Sequence, residues 1–261
     1  VLGIALREKP DDPDTIFALA QTFQARNELV KAAAALARAE KAAPRRSEFP
    51  LLLAQVSAQW GFYEDSAAAY GRYLKLKPED DVARRERGFD LARINQAKDA
   101  LRDLEWYISR HPRDAVGYFE LAVAQLYQGR QNSLALLDKA LALDPGLYQA
   151  RNTRALLNIE EENAAAASAD LKLYLEKQPE DFHALAHLGQ AYLATGRADD
   201  AMEVLERANR LAPDSALVLV YYRRALEKTG RKQEAAAVLG RLREAGNREH
   251  SSQRRVGLVD Y

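Results

Sequence analysis

The chain has 261 residues, 48% of them hydrophobic and 29% charged, and its 38 basic residues cancel its 38 acidic ones. That balance gives no support to nucleic-acid binding, whose affinity rests on an excess of Lys and Arg neutralising phosphates. With no Cys there is no disulfide, thiolate metal site or cysteine nucleophile, and no apolar run reaches the roughly 18 residues of a membrane span.

The first stretch, Val1 to Lys9, reads as half of a repeat, because Ala5 stands before Pro10 as Ala39 stands before Pro44. An opening of Val1-Leu2-Gly3 without Met reads as a piece cut from a longer protein, with its true start and any targeting signal missing. From there prolines punctuate the chain at Pro10, Pro44, Pro78, Pro112, Pro145, Pro179 and Pro213, at intervals of 34, 34, 34, 33, 34 and 34 residues. Asn27, Gly61, Asn95, Gly129, Asn163, Gly196 and Gly230 keep step with them. Asn and Gly tolerate a left-handed backbone and end helices, and proline bars a helix from continuing. Two helix-stopping series in fixed register predict a pair of helices repeated over 11–44, 45–78, 79–112, 113–145, 146–179, 180–213 and 214–245, after a partial repeat at 1–10. Residues 246–261 follow as a polar tail or the start of a further element: Gly246 to Arg255 is polar and charged and reads as a linker or exposed tail, while Val256 to Tyr261 turns apolar again.

The clearest unit is Phe182 to Pro213. Asp181 is placed to cap its first helix. Leu185, Leu188, Gly189 and Tyr192 then fall at i, i+3, i+4 and i+7, an apolar stripe with a notch at Gly189. Ala201, Leu205 and Ala208 share a face of the second helix. Leu188-Gly189, Tyr192, Gly196, Ala201, Ala208 and Pro213 resemble the tetratricopeptide repeat signature in spacing and identity. Its small first-helix position is filled by Ala20, Ala54, Gly88, Ala122, Ala155 and Gly189, and its large second-helix position by Leu36, Tyr70, Leu104, Leu137, Leu171, Leu205 and Leu239. The resemblance covers roughly residues 1 to 245. It implies an all-α fold, a right-handed α-α superhelix (solenoid) of about seven helix-turn-helix repeats plus the partial N-terminal one.

Some positions depart from the pattern. Tyr73, Tyr107 and Tyr174 occupy a place that is usually small, which predicts spread or re-angled stacking. Arg87 and Arg154 stand at a normally apolar site in repeats three and five. Repeat five has no evident cap at Gly146-Leu147, and its turn, Glu160-Glu161-Glu162-Asn163, runs one residue late. Irregular packing is expected there. Arg223, Arg224, Lys228 and Arg231 make repeat seven more polar, as suits a terminal repeat.

Little in the chain points to chemistry. His183 and His187 sit four apart on one helix face, a spacing that metal ligands use, but Ala-Leu-Ala lies between them and no third ligand is near. Incidental histidines are the better reading. The acidic runs Glu160-Glu161-Glu162 and Glu79-Asp80-Asp81 read as a turn and a helix cap. No phosphate-cradling loop, nucleophile triad or dinucleotide fingerprint occurs. The sequence calls for no cofactor, no metal and no catalytic residue.

In tetratricopeptide repeat proteins, as the resemblance implies, peptides or partner helices bind along the concave wall built by the first helices. The inward-facing columns name Phe17 and Gln21 in repeat one, Gln55 in repeat two, and Arg85, Phe89 and Arg93 in repeat three. Repeat four supplies Phe119, Val123 and Tyr127, repeat five Asn152 and Leu156, and the last two Gln190 and Arg224. Phe89, Phe119, Val123 and Leu156 then form an apolar patch, and the arginines at 85, 93 and 224 border it and would orient an acidic or carboxylate-bearing segment. The carboxylate clamp of chaperone-binding repeats is not matched, since Phe17, Gln21, Leu52, Val82 and Glu86 hold its positions. The asparagine ladder of sugar-transferase arms fails too, its column reading Ala18, Leu52, Glu86, Glu120, Thr153, His187 and Tyr221. The reading is a non-catalytic protein-interaction scaffold for a protein or peptide in the groove. The alternative is a substrate-presenting or regulatory arm of a larger enzyme or export complex. Neither nucleic acid nor membrane insertion is expected, and self-association through end repeats is a third reading.

Overall fold

The computed structural model describes residues 12–127, 129 and 132–256. The half repeat expected at Val1 to Lys9 and the apolar stretch Gly257 to Tyr261 lie outside the described residues. Among those described the chain is all-α, with no strand, and it divides into two compact units, Val1–Leu143 and Asp144–Tyr261. The first unit contains α1 (Pro13–Ala25), α2 (Leu29–Ala42), α3 (Glu48–Trp60), α4 (Tyr63–Leu76), α5 (Asp81–Arg93), α6 (Ala97–Arg110), α7 (Ala115–Leu126) and α8 (Ser133–Leu143). The second contains α9 (Tyr148–Glu160), α10 (Ala164–Lys177), α11 (Phe182–Ala194), α12 (Ala198–Leu211), α13 (Ala216–Lys228) and α14 (Lys232–Val256). Within each unit consecutive helices pack on one another, and first helices also touch the next first helix, as α5 does α7 and α11 does α13.

Local chemistry sets the helix ends. Asp12, Asp80, Asp114 and Asp181 each accept a bond from a free amide of α1, α5, α7 or α11, at 2.9–3.1 Å, relieving donors that a helix cannot satisfy itself. Helix α9 starts after Leu147 with no side-chain cap, as Gly146-Leu147 led one to expect. The first helices end in a left-handed residue at Asn27, Gly61, Asn95, Glu162, Gly196 and Gly230, and Gly129 is left-handed in the same register. Here one expectation is corrected. The stop after α9 is Glu162 (φ 60°), not Asn163. Asn163 instead caps α10, its side chain accepting from the Ala166 amide. The turn is therefore not late, and Glu162 keeps the register of the other stops. A second correction concerns the expected tail. Gly246 to Arg255 continues α14 as helix, because a single Gly among Arg, Glu and Gln does not stop one, whereas Pro would.

Packing follows from the small positions. Ala20, Ala54, Ala122 and Ala155 are wholly buried, as are Leu36, Leu104, Leu137, Leu171 and Leu205. Tyr70 is buried as well, while Leu239 on α14 is only half-buried. The tyrosines at the usually small position are buried, and each donates its hydroxyl to the capping Asp of the next helix. Tyr73 reaches Asp80 at 2.6 Å, Tyr107 reaches Asp114 at 2.6 Å, and Tyr174 reaches Asp181 at 2.8 Å. One carboxylate thus both caps a helix and ties it to the helix before. Burial, then the bond to the carboxylate, pushes all three phenols up to about 12.

The arginines at the normally apolar site also have partners. Arg87 forks onto Asp103 of α6 at 2.7 and 2.8 Å, and Arg154 onto Asp170 of α10 at 2.7 Å through both nitrogens. Arg84 and Arg151, three residues earlier, add a second guanidinium to each acid, at 3.8 and 3.3 Å. The Asp103 side chain is fully buried.

Two stability measurements check this account. A left-handed non-glycine residue costs about 1 kcal/mol, so Glu162→Gly raises the urea midpoint by a stabilisation of about that size. Arg87→Leu alone leaves the buried Asp103 with only the longer Arg84 contact and destabilises by up to about 3 kcal/mol, while the double variant Arg87→Leu/Asp103→Ala recovers most of the loss. A double variant as unstable as the single one would show that the pair contributes net stability.

Candidate functional site

The residues named for partner binding fall on the first helices of their repeats. On α1, Phe17 is half-buried against Phe49, with ring centroids 5.3 Å apart, and Gln21 is exposed. On α3, Gln55 is exposed and lines a cleft of about 440 Å³ with Leu51, Tyr70, Val82 and Glu86. The aromatic pair expected in repeats three and four does come together: Phe89 of α5 and Phe119 of α7 are half-buried, 6.4 Å apart and tilted by 56°. Val123 follows Phe119 by one turn, half-buried, and Tyr127 at the end of α7 is 51% exposed.

Arg85, Phe89 and Arg93 repeat every four residues and so share a face of α5. Arg93 is exposed, and its guanidinium lies over two rings, 4.2 Å from the centre of Phe89 and 4.4 Å from that of Tyr63. Such a cation over aromatic faces is worth roughly 0.5–1 kcal/mol at an exposed site. Arg85 is different. It is half-buried, bonded to Glu86, 3.4 Å from Asp114, 3.3 Å from Glu120 and 5.5 Å from the ring of Tyr107. Burial opposes its charge, but Glu120 and Glu86 outweigh that and hold it above its ordinary value. Its charge is matched within the chain, so it is not the free cation that an acidic partner segment would need.

Two buried acids went unnoticed as site residues. Glu120 on α7 is 5% exposed, and burial, only partly offset by Arg85, pushes its carboxyl up to about 8. Asp90 on α5 is 4% exposed, bonded to the Ser66 hydroxyl of α4 at 2.5 Å, and pushed by burial up to about 6. The sequence did carry a signal for Glu120, because it stands in the apolar run Phe119-Glu120-Leu121-Ala122, where an acid is out of place.

In the second unit Asn152 and Leu156 are half-buried on α9. Leu156 is part of that unit, so the patch described at Phe89 and Phe119 is made by the first unit's own residues. Gln190 and Arg224 line a cleft of about 390 Å³ with Leu193, Tyr221 and Glu227, and the Arg224 guanidinium lies 5.6 Å from the centre of Tyr221. His183 is exposed beside the Phe182 ring, and His187 is half-buried, 3.4 Å from Gln190, with burial lowering its basicity. Among the described residues no three His, Cys, Asp or Glu are grouped to hold a metal ion, and no helix is long and apolar enough to cross a membrane.

A tetratricopeptide repeat model matches residues 158–219 and 193–254. Among curated proteins, the DnaJ protein P58IPK homolog of Arabidopsis thaliana is 27% identical over 209 residues, covering 78% of this chain and 38% of its own. The Hsp70-Hsp90 organizing protein of Triticum aestivum is 35% identical over 86 residues, 33% of this chain and 15% of its own. The chain thus spans well under half the length of the curated relatives it matches. Among solved structures, a MamA RS-1 double mutant has a TM-score of 0.61 at 19% identity, over 66% of this chain and 98% of that one. MamA from Desulfovibrio magneticus RS-1 has a TM-score of 0.57 at 21% identity, over 65% and 96%. At these identities the likeness is one of fold.

The buried acids set a pH dependence. Glu120 titrates at about 8 in the folded chain against an ordinary 4.5, so across that window the folded state holds a proton that the unfolded state has released. Stability therefore falls as pH rises from about 4.5 to about 8, by no more than about 1.4 kcal/mol per pH unit for this one group. Asp90 acts in the same direction but only up to about 6. In urea titrations the fall between pH 6 and pH 8 shrinks in Glu120→Gln. An unchanged slope would assign the proton to another group.

Proposed function

The chain belongs to the tetratricopeptide repeat family, and from that premise we propose that it is a non-catalytic scaffold that binds a peptide or partner segment against its first helices. What supports this reading most is the half-buried pair Phe89 and Phe119, with the exposed Arg93 stacked on Phe89 and the exposed Tyr127 beyond. Aromatic rings and arginine supply much area for little conformational entropy and recur as interface anchors. The partner is a protein segment. Gln21, Gln55, Asn152, Gln190 and Arg224 add polar contacts along the same helices, with Phe17, Val123 and Leu156 as further apolar contacts.

A second reading, an arm of a larger enzyme or export complex, draws on the relatives, in which the matched stretch is a minor part of a longer chain. The two readings share the binding surface and differ only in what is attached to it.

Panning a displayed library of twelve-residue peptides against the chain tests the scaffold. Enriched peptides are expected to lose at least tenfold in affinity to Phe119→Ala, a truncation worth about 2 kcal/mol at an anchor, with helicity by circular dichroism unchanged. Enriched peptides indifferent to Phe119→Ala and to Arg93→Glu would move the site elsewhere. Enrichment of no peptide at all would end the scaffold reading.

A further inference from the structure

Behind the Phe89–Phe119 pair, acids outnumber cations. Glu86, Asp90, Asp114 and Glu120 surround Arg85 and Arg93, while Arg87 beside them is committed to Asp103. Two of the four acids are incompletely satisfied by their neighbours. The Ser66 hydroxyl lies 2.5 Å from Asp90 Oδ2 and 2.9 Å from the Ala54 carbonyl oxygen. A hydroxyl has one proton to donate, so Ser66, placed as donor to both oxygens, satisfies neither fully. Glu120 Oε2 is buried with no hydrogen-bond partner, its nearest cation atom, Arg85 Nε, being misaligned at 3.3 Å. Burial raises both carboxyls, and Glu86 adds to each.

The groups facing these acids are Tyr70 and Ser66 on α4, Arg85, Glu86 and Arg93 on α5, Tyr107 on α6 and Asp114 before α7. None of them supplies a third cation. Glu86 and Glu120 hold the same column in successive repeats, 34 residues apart. Arg93 lies seven residues along α5 from Glu86, about 10 Å at 1.5 Å per residue, so a cation beside Glu86 is about a Debye length from it at physiological salt.

Resting on the binding surface proposed above, we propose that this part of the first unit takes a basic segment of its partner, a Lys or Arg side chain packing on the Phe89 and Phe119 rings and pairing with the half-exposed Glu86, with the buried Glu120 carboxyl behind it. The expected preference is thus opposite to the acidic segment that three free arginines would have selected. Binding is coupled to proton release: the cation brought in beside Glu86 favours the charged form of Glu120, whose carboxyl gives its proton to solvent.

Three dye-labelled dodecapeptides test this, alternating leucine with lysine, glutamate or glutamine, with affinity read by fluorescence anisotropy. At pH 7 and 50 mM salt the lysine peptide is expected to bind about tenfold tighter than the glutamine peptide, and the glutamate peptide weakest. Calorimetry in two buffers of different ionisation enthalpy is expected to show proton release with the lysine peptide. Glu120→Gln removes that release. Glu86→Gln, at a half-exposed position and with helicity by circular dichroism checked alongside, lowers lysine-peptide affinity several-fold. A glutamate peptide that binds tightest, or lysine binding without proton release, overturns the proposal. The groove reading survives that result if the glutamine peptide still loses affinity in Phe119→Ala. If no peptide binds, both fall.

Discussion

In each clear repeat a residue with almost no side chain on the first helix packs against a large one on the second. At Gly189 an added Cβ would sit 2.4 Å from Leu205 Cγ, and at Gly88 it would sit 2.9 Å from Leu104 Cγ. No Cβ tolerates such distances, so in these two repeats the helices approach as they do only because glycine stands there, while Ala20, Ala54 and Ala155 fill the same position elsewhere with a single buried methyl. Burying the large partner is worth about 2 kcal/mol each time. That gain recurs at a fixed period, and so the fold survives nearly any residue on its remaining surfaces.

A polar layer is built on that apolar one. Tyr73, Tyr107 and Tyr174 each donate a hydrogen bond to a helix-capping Asp of the following repeat, so the carboxylate that starts a helix also ties it to the one before. The Arg87–Asp103 and Arg154–Asp170 forks act within a repeat. Burying such a pair costs desolvation that its attraction only roughly offsets, and apolar residues at the same places are often no worse. The forks are therefore better understood as fixing geometry in two particular repeats than as holding the chain together.

How much of this was legible depended on whether the signal was local. Proline and left-handed punctuation acts within a few residues, and it carried the helix pairs, the all-α fold and the capping role of Asp181. It failed where register outranked propensity. Asn163 looks like the better helix stop, yet Glu162 takes the left-handed backbone because it keeps step with Gly129 and Gly196, leaving Asn163 to cap the next helix. The arginines at 87 and 154 looked like defects because one column was read at a time. Sixteen residues on stand Asp103 and Asp170, while the other repeats pair Leu19 with Ala35, Leu53 with Ala69, Leu188 with Val204 and Tyr222 with Val238, so the charges enter and leave the two columns together. The ring pair at Phe89 and Phe119 was legible from spacing. The neutralisation of Arg85 was not, since Glu120 and Asp114 lie 35 and 29 residues away and their burial is a tertiary fact.

That neutralisation decides the electrical character of the surface around the rings. Two unit charges about 3–4 Å apart attract by about 4 kcal/mol at an effective dielectric of about 20, and even so Arg85 does not keep Glu120 at an ordinary carboxylate value, because burial penalises the lone anion more. The deficit is one of positive charge. Aromatic faces carry a negative quadrupole and favour cations for the same electrostatic reason, a preference the chain already uses by laying Arg93 on Phe89 and Tyr63. Rings and acids therefore select the same sign of partner, and they do so independently: truncating a ring removes area and quadrupole but leaves the carboxyls, while neutralising a carboxyl leaves the rings. An acidic segment would gain only from Arg93 and would meet Glu86 beside the rings. Area alone binds either segment; the uncompensated acids make the difference between them.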